Sequence, residues 1–528
     1  MTAPSSHLAL LLHAHLPFVR HPEHEDFLEE DWLFEAITET YIPLLAMMER
    51  LMEDGVAFRL AMTLTPPLCA MLRDDLLRQR YVRHLERLIA LAESEIERNT
   101  QHDQLRELAQ FYFNLFTDCR MRFVDQWNGD LLAVFRRLQD DGRLEIVASA
   151  ATHGFLPLLQ DFPEALRAQV LIGRDAYRET FGRDPSGFWL PECAYVPGLD
   201  TILQEANLRW FILDAHGLIF GNPQPRFAIH APYYTPAGPA AFARDRDSSK
   251  QVWSAEEGYP GDLAYRDFYR DIGFDLSFDQ LRTFLPSGSV RKFTGIKYHR
   301  VTGAKQDKEF YDRAWAEGVA DAHANHFLEN RRSQFAALRG RNFDPIVVSA
   351  FDAELFGHWW FEGPRFLELF IRKAVYDQKD FALTMPSEFL AAHPVQQMLK
   401  PSSSSWGDQG YWGVWLDPSN SWIYPHLHAA ARRMTEVARA HRNTPEPLID
   451  RTLKQLAREL LLAQSSDWAF LMKAGTAVEY ATKRTTDHIL RFNRLYDQLL
   501  AHQIDLDFLT KCETRDNIFP NVNWQYYI

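Results

Sequence analysis

The sequence predicts an α/β protein: a (β/α) barrel with a helical insertion, followed by a separate, mostly helical C-terminal domain. Three observations carry this reading. Seven short, nearly continuously apolar runs are spread over residues 7–360; residues 74–138 keep helical spacing with no strand pattern; and the chain after Pro401 turns into long amphipathic helices.

The runs are HLALLLHAH (7–15), FRLAMTLT (58–65), LEIVASAATHG (144–154), GFWLPECAY (187–195), LRWFILDAHG (208–217), FTGIKYHRVT (293–302) and PIVVSAFDAELFGHWW (345–360). Each is short and apolar on both faces, as a strand buried on both sides must be, and helical stretches separate them. Seven such units favour a barrel over an open sheet. Barrel enzymes build their sites at the C-terminal strand ends, which in this chain carry His13, His15, His153, Glu192, Asp214, Asp352 and Glu354. Within the insertion, Leu85, Leu88, Ala92 and Ile96 share one helical face, and QLRELAQFYFNLF continues the pattern. Residues 222–251 contain five prolines and the charged stretch RDRDSSK, which reads as a long mobile loop. Beyond the run SSSS, Leu453, Leu456, Ala457 and Leu460 again share a helical face. The boundaries are thus 1–401 for the barrel, 74–138 for the insertion and 402–528 for the C-terminal domain.

Composition narrows the function. The 528 residues carry 57 basic and 71 acidic side chains, a net charge of −14 without a basic block, which disfavours nucleic acid as a partner. With 46% hydrophobic and 24% charged residues the chain is ordinary for a soluble globular enzyme. No apolar run approaches the roughly 18 residues of a membrane span, and LALLL before His13 is too short for a signal sequence. Cys69, Cys119, Cys193 and Cys512 form no CxxC pair. A cytoplasmic protein with reduced thiols is expected. The unusual figure is 13% aromatic residues, with 14 tryptophans, since aromatic area at that density serves either a core or a ligand.

Glu192 follows Pro191 between Trp189 and Tyr195, a rigid setting for a carboxylate that would otherwise read as a solvated strand terminus. Asp352 and Glu354 lie two apart, so strand alternation points both the same way. Carboxylates facing each other across a barrel mouth suit glycoside cleavage, in which one attacks the anomeric carbon and the other protonates the leaving oxygen. The competing reading starts from His13 and His15: an HxH pair joined by His153, His216 or Asp352 could ligate zinc for metal-assisted hydrolysis. The segment 404–428 sets Trp406, Tyr411, Trp412, Trp415, Trp422 and Tyr424 among glycines without helical periodicity. Such rings suit stacking on pyranose units, with packing between domains as the alternative. Asp467, after a helical run, reads equally as a helix cap or a site residue.

HAHLPF (13–18), ATHG (151–154), FWLPECAY (188–195), AFDAELFGHWWFEG (350–363) and QSSDW (464–468) resemble the five ordered regions of glycoside hydrolase family 57. With GYPGDLAYRDFYRDIGFD (258–275), the Trp-rich segment and RDNIFP near the C-terminus, they look most like its α-glucan branching members. The resemblance implies a seven-stranded (β/α) barrel of incomplete TIM type, with Glu192 as nucleophile and Asp352 as general acid/base. It also implies contacts to α-1,4-glucan, such as amylose or glycogen, from His13, His15, His153, Trp406, Trp415 and Asp467. The implied reaction is retaining cleavage of an α-1,4 bond and transfer of the segment to a 6-hydroxyl. Amylases and 4-α-glucanotransferases of the family share the carboxylate pair, and a silent glucan-binding protein would need only the tryptophans.

Four further expectations follow from the residues. Two carboxylates complete a double displacement without a Lewis acid, so neither metal nor cofactor is expected. Asp352 must start protonated, so its pKa should lie above that of Glu192. Trp406 and Trp415 should stack on glucose. Tyr234, or failing that Tyr233, should close over the site on the 222–251 loop, anchored by Arg244 and Arg246, to keep water from the glycosyl-enzyme.

Overall fold

The computed structural model describes residues 5–254, 257–286, 290–303, 307–443 and 446–528. Its centre is one sheet of nine strands: β1 His7–Ala14, β2 Leu60–Leu64, β3 Leu144–Ser149, β4 Gly187–Trp189, β5 Trp210–Leu213, β6 Tyr233–Tyr234, β7 Ala240–Ala243, β8 Ile346–Asp352 and β9 Ala382–Leu383. The order is β6-β7-β5-β4-β3-β2-β1-β8, with β9 beside β1. Every pairing is parallel except β6 with β7.

The sheet curls on itself because alternate residues share one interior. Ala9 and Leu11, Ala61, Val147, Trp189, Trp210 and Ile212, Ala240 and Phe242, and Ile346, Val348 and Ala350 form a single buried cluster drawn from all seven strands of the parallel row. The margins of the row meet where Asp245 N, just past β7, donates to Val348 O of β8 at 2.8 Å. The outward faces, among them Leu8, Leu10 and Leu12 of β1, pack under helices in a larger cluster. Burial on both faces explains why these strands read as unbroken apolar runs.

Six of the seven predicted runs contain strands of this row. The exception is 293–302, which joins no sheet and holds only single bridges, Arg266 to Arg300 and His299 to Phe310. Its polar side chains turn to other partners: Lys297 Nζ donates to Phe268 O (2.6 Å) and Tyr298 Oη to Glu95 Oε2 (2.9 Å). The seventh place belongs to AAFA, 240–243, inside the stretch expected to be a mobile loop. That stretch is instead ordered as the β6–β7 hairpin and the helix Arg246–Trp253. A four-residue, alanine-rich run between Pro239 and Arg244 has little β-propensity, and only its neighbours β5 and β6 make it a strand.

Helices Asp75–Arg98, Asp103–Arg120 and Leu131–Asp140 fill the segment between β2 and β3. Beyond Trp422 run Ile423–Ala440, Pro447–Ala463, Ser466–Ala474, Val478–Leu500 and Leu506–Arg515. Leu453, Leu456, Ala457 and Leu460 are all fully buried, as their spacing predicts. The N-terminus of Ser466–Ala474 reaches the end of β3, where Ser466 N donates to His153 O at 3.1 Å. No helix among the described residues is long and apolar enough to cross a membrane.

Candidate active site

The alternation that fills the interior continues at the C-terminal rim. After Leu11, Ile212, Phe242 and Ala350 come His13, Asp214, Arg244 and Asp352, and His13 pairs in register with both Thr63 and Asp352. A polar rim therefore caps an apolar interior.

Glu192 stands in a single 3₁₀ turn, Pro191–Cys193, with φ 62° and ψ 23°; Cys193 (φ 50°) and His153 (φ 57°) are also left-handed. For non-glycine residues this costs of order 1 kcal/mol each, and it persists only where surrounding contacts over-determine it. Here they do. Trp406 Nε1 donates to Glu192 Oε2 and Ser466 Oγ to Oε1, both at 2.8 Å, and Trp406 N donates to the Glu192 carbonyl at 3.0 Å. Burial outweighs these donors and pushes Glu192 up to about 7.

Three imidazoles stack beside it. The rings of His15 and His153 are 3.9 Å apart, and His13 lies 4.3 Å from the Trp189 ring. Burial holds His13 and His153 well below the usual histidine range, so both are neutral. One assignment of hydrogens then satisfies each contact. His13 Nε2 donates to His153 Nε2 (3.0 Å), His153 Nδ1 donates to Ser466 Oγ (3.0 Å), and Ser466 donates to Glu192. It also accounts for the buried, partnerless Nδ1 of His13, which is left a bare lone pair. His15 behaves oppositely: burial disfavours its charge, but Asp467, which accepts from Nε2 at 3.0 Å, raises its pKa overall.

The structure separates Asp352 from Glu354. Glu354 Oε1 is taken by Tyr41 Oη (2.5 Å) and His15 N (3.2 Å), whereas no hydrogen bond reaches the Asp352 carboxylate from the described residues. Burial raises Asp352 to about 6, opposed by Arg244 and then His15. Burial dominates at both groups and leaves Asp352 about a unit below Glu192, so the expected order, Asp352 above Glu192, is not found in the free protein.

Arg244 was expected only as a loop anchor. It donates twice to Asp214 Oδ2 (3.0 and 3.2 Å), and its guanidinium lies 5.3 Å from the Trp406 ring centroid. Arg246 does bind Asp214, at 2.8 Å through Oδ1. His216 reaches Asp214 (2.9 Å) through Nδ1 and the Gly410 carbonyl (2.7 Å) through Nε2. Despite burial, these partners hold Asp214 at about 2. This network ties the ends of β5 and β7 to the Trp-rich segment, and Arg244 would have been legible from the 240, 242, 244 alternation had β7 been recognised.

Two expected substrate contacts do not hold. Trp415 is 2% exposed and stacks on Phe155 at 4.5 Å, with Gly407 against its ring: a Cβ there would come within 2.6 Å of it. The segment's glycine thus serves packing around Trp415, which leaves no face for a sugar. Tyr234 pairs with Ala240, itself in register with Trp210 at the start of β5, so it lies at the end of the sheet opposite Asp352. Tyr233 is fully buried. Neither tyrosine covers the rim.

Residues not singled out as site residues in the sequence line a cavity of about 510 Å³: Trp32, Glu35, Phe268, Phe293, His358 and Leu471. The same segments carry Tyr41, Glu354 and Asp467. Of the metal candidates, His15, His153 and Asp467 bring ligand atoms within 4.8 Å of one another, whereas His216 is committed to Asp214 and Gly410. A second trio, Glu459, His488 and Asp516, lies between C-terminal helices, with Arg484 and Arg491 bonded into it as its cations.

Residues 9–402 match the glycosyl hydrolase family 57 profile, and residues 426–527 match that of the 1,4-alpha-glucan branching enzyme C-terminal region. A 1,4-alpha-glucan branching enzyme of Thermococcus kodakarensis is 33% identical across 98% of this chain and 78% of its own length. Among solved structures, the alpha-amylase AmyC of Thermotoga maritima superposes with a TM-score of 0.93 at 44% identity, over 99% of both chains. The GH57-type branching enzyme of Pyrococcus horikoshii superposes at 0.89 with 34% identity, over 99% of this chain and 97% of its own.

Proposed function

The chain belongs to glycosyl hydrolase family 57, and from that membership we propose that it is a 1,4-α-glucan branching enzyme whose catalytic pair is Glu192 and Asp352. The observation that carries the pair is the contrast at the rim: Glu192 is gripped through both oxygens, Asp352 takes no hydrogen bond from the described residues, and Glu354 is occupied.

The productive form of the pair holds its one proton on Asp352, the less populated placement in the free protein. In the first step, ionised Glu192 attacks the anomeric carbon while protonated Asp352 gives its proton to the departing 4-oxygen. The glycosidic bond breaks as the ester to Glu192 forms. In the second, Asp352 takes the proton of an incoming 6-hydroxyl, whose oxygen displaces Glu192 and restores both groups. A separation of roughly 5–5.5 Å between the carboxyl groups belongs to this retaining geometry. The donors on Glu192 orient it for attack and stabilise it as leaving group. His15, its pKa raised by Asp467, stands beside the carboxylates in a site where water screens little. The aromatic cavity beside His358 offers glucose units the faces of Trp32, Phe268 and Phe293.

We read the curled sheet as the incomplete barrel of residues 1–401, the helices between β2 and β3 as its insertion at 74–138, and 402–528 as a helical domain that lends Trp406, Ser466 and Asp467 to the site. Four unpaired cysteines, all buried, fit a reducing cytoplasm.

Hydrolysis is the second reading, favoured by one observation: Tyr233 and Tyr234, the residues expected to keep water from the glycosyl-enzyme, lie away from the rim. The 44% identical T. maritima protein is called an alpha-amylase. Incubation with amylose, then debranching and chain profiling beside a reducing-end assay, tests both. New short chains released only by debranching support branching; a rise in reducing ends without them supports hydrolysis.

A further inference from the structure

Tyr234 has no place in the catalytic machinery, yet it lines a cavity of about 410 Å³ at the N-terminal ends of β4, β5 and β7. That volume lies in the ~300–1,000 Å³ range of small-molecule sites. We propose that this cavity is a second α-glucan-binding site, remote from the catalytic rim; the identity of the ligand rests on the function proposed above.

The cavity is built rigidly. Trp210 forms part of its wall, pressed so closely on Gly187 that a Cβ there would fall 2.1 Å from the indole. Its Nε1 is committed to Ser387 Oγ (2.9 Å) and Glu145 Oε1 (3.2 Å). Tyr234 is pinned on both backbone sides, its N donating to Gln397 O (3.0 Å) and its carbonyl accepting from Leu399 N (2.9 Å), while its side chain stays half-buried. A ring held this way loses little freedom when a pyranose packs against it.

The polar lining suits hydroxyls. Gln204, Asn207 and Arg209 are exposed, and none of their side chains makes a hydrogen bond or ion pair with the described residues. Two amides and a guanidinium can each bridge neighbouring hydroxyls. The described lining includes no carboxylate, so the site binds without the groups needed for cleavage. β5 alone spans four residues, about 13 Å at 3.3 Å per residue, so the two sites stand at opposite ends of the sheet. A polymer held at one end is supplied to the other at raised local concentration.

The test is titration calorimetry of maltoheptaose into the Glu192→Gln protein, which binds without turnover. Two binding events per chain are expected. Adding Tyr234→Ala, or in a separate protein Gln204→Ala with Asn207→Gly at exposed positions, should weaken one event about tenfold or more and leave the other unmoved. A single event in all three proteins overturns the second site. Competition of the second event by inorganic phosphate would reassign Arg209 to an anion and overturn the glucan ligand. Absence of both events would bring down the α-glucan reading itself, an outcome distinct from losing the second site alone.

Discussion

Replacing Arg244 tests whether the two carboxylates are tuned through one cation. In Arg244→Met, Asp214 loses two hydrogen bonds of 3.0 and 3.2 Å but keeps His216 and Arg246, so the buried charge is not stranded. The stability cost should be about 1–3 kcal/mol, short of the roughly 3–5 kcal/mol of an unpaired buried charge. Trp406 loses a cation 5.3 Å from its ring, an interaction of about 0.5–2 kcal/mol, and with it some hold on Glu192. Turnover should fall roughly 2- to 30-fold. The pH profile carries the sharper signal. The productive form holds a proton on Asp352 and none on Glu192, so kcat/KM declines with rising pH at the upper of the pair's two apparent pKa values. Removing the opposing cation raises the pKa of Asp352 from about 6, and if it rises to meet Glu192 the high-pH limb should move up by roughly 0.3 of a pH unit. Arg244→Lys keeps the charge without the fork, so its limb should stay near that of the unaltered protein while turnover falls. The measurement is kcat/KM on a chromogenic maltooligosaccharide from pH 4 to 9. A limb that stays in place in Arg244→Met, or moves equally in Arg244→Lys, refutes the argument.

Glu192→Gln should abolish both turnover and trapping of a glycosyl-enzyme by a fluorinated glucoside; Glu354→Gln should keep more activity than Asp352→Asn, and the reverse ranking would exchange their roles. Full activity should survive dipicolinate, whereas stoichiometric zinc with loss and recovery of activity on stripping and refilling would favour a metal at His15, His153 and Asp467. Trp415→Ala should cost about 3–5 kcal/mol in urea unfolding, as core tryptophans do, while Trp406→Ala, at a half-buried position, should cost less and lose turnover. The pKa of His15 is raised in the folded state, so its contribution to stability is complete below the unfolded value of about 6.5 and is lost as pH rises through the folded pKa. Asp467→Asn should therefore destabilise most in acid, and a urea-midpoint difference from the unaltered protein that is constant between pH 5 and 9 would count against the His15–Asp467 ion pair.

The catalytic rim was legible because it follows from alternation, a property of a few consecutive residues. His13 and His15 continue the apolar series of HLALLLHAH, and Asp352 ends IVVSAFD in phase with Val348 and Ala350, so one period-2 pattern marks both the interior and its polar cap. Choosing Asp352 over Glu354 needed the family resemblance in sequence and Tyr41 in space, since both carboxylates share a phase. Nothing in Pro191–Glu192–Cys193 announces a left-handed backbone either; contacts from Trp406 and Ser466, more than 200 residues away in the chain, hold it there.

What the sequence determined by itself was therefore local: six of the seven strands of the row, the helices between and after them, and the residue types at the strand ends. Tertiary structure decided which of those side chains meet. Trp406 and Trp415 lie nine residues apart in one glycine-rich stretch, and only Phe155, against which Trp415 packs, makes one a core residue and leaves the other on the nucleophile. AAFA became a strand because β5 offered an open edge, and its register sent Tyr234 to the far end of the sheet and Arg244 to the rim. Periodicity is written in neighbouring residues, but burial, pairing and charge depend on partners that only the folded chain brings near.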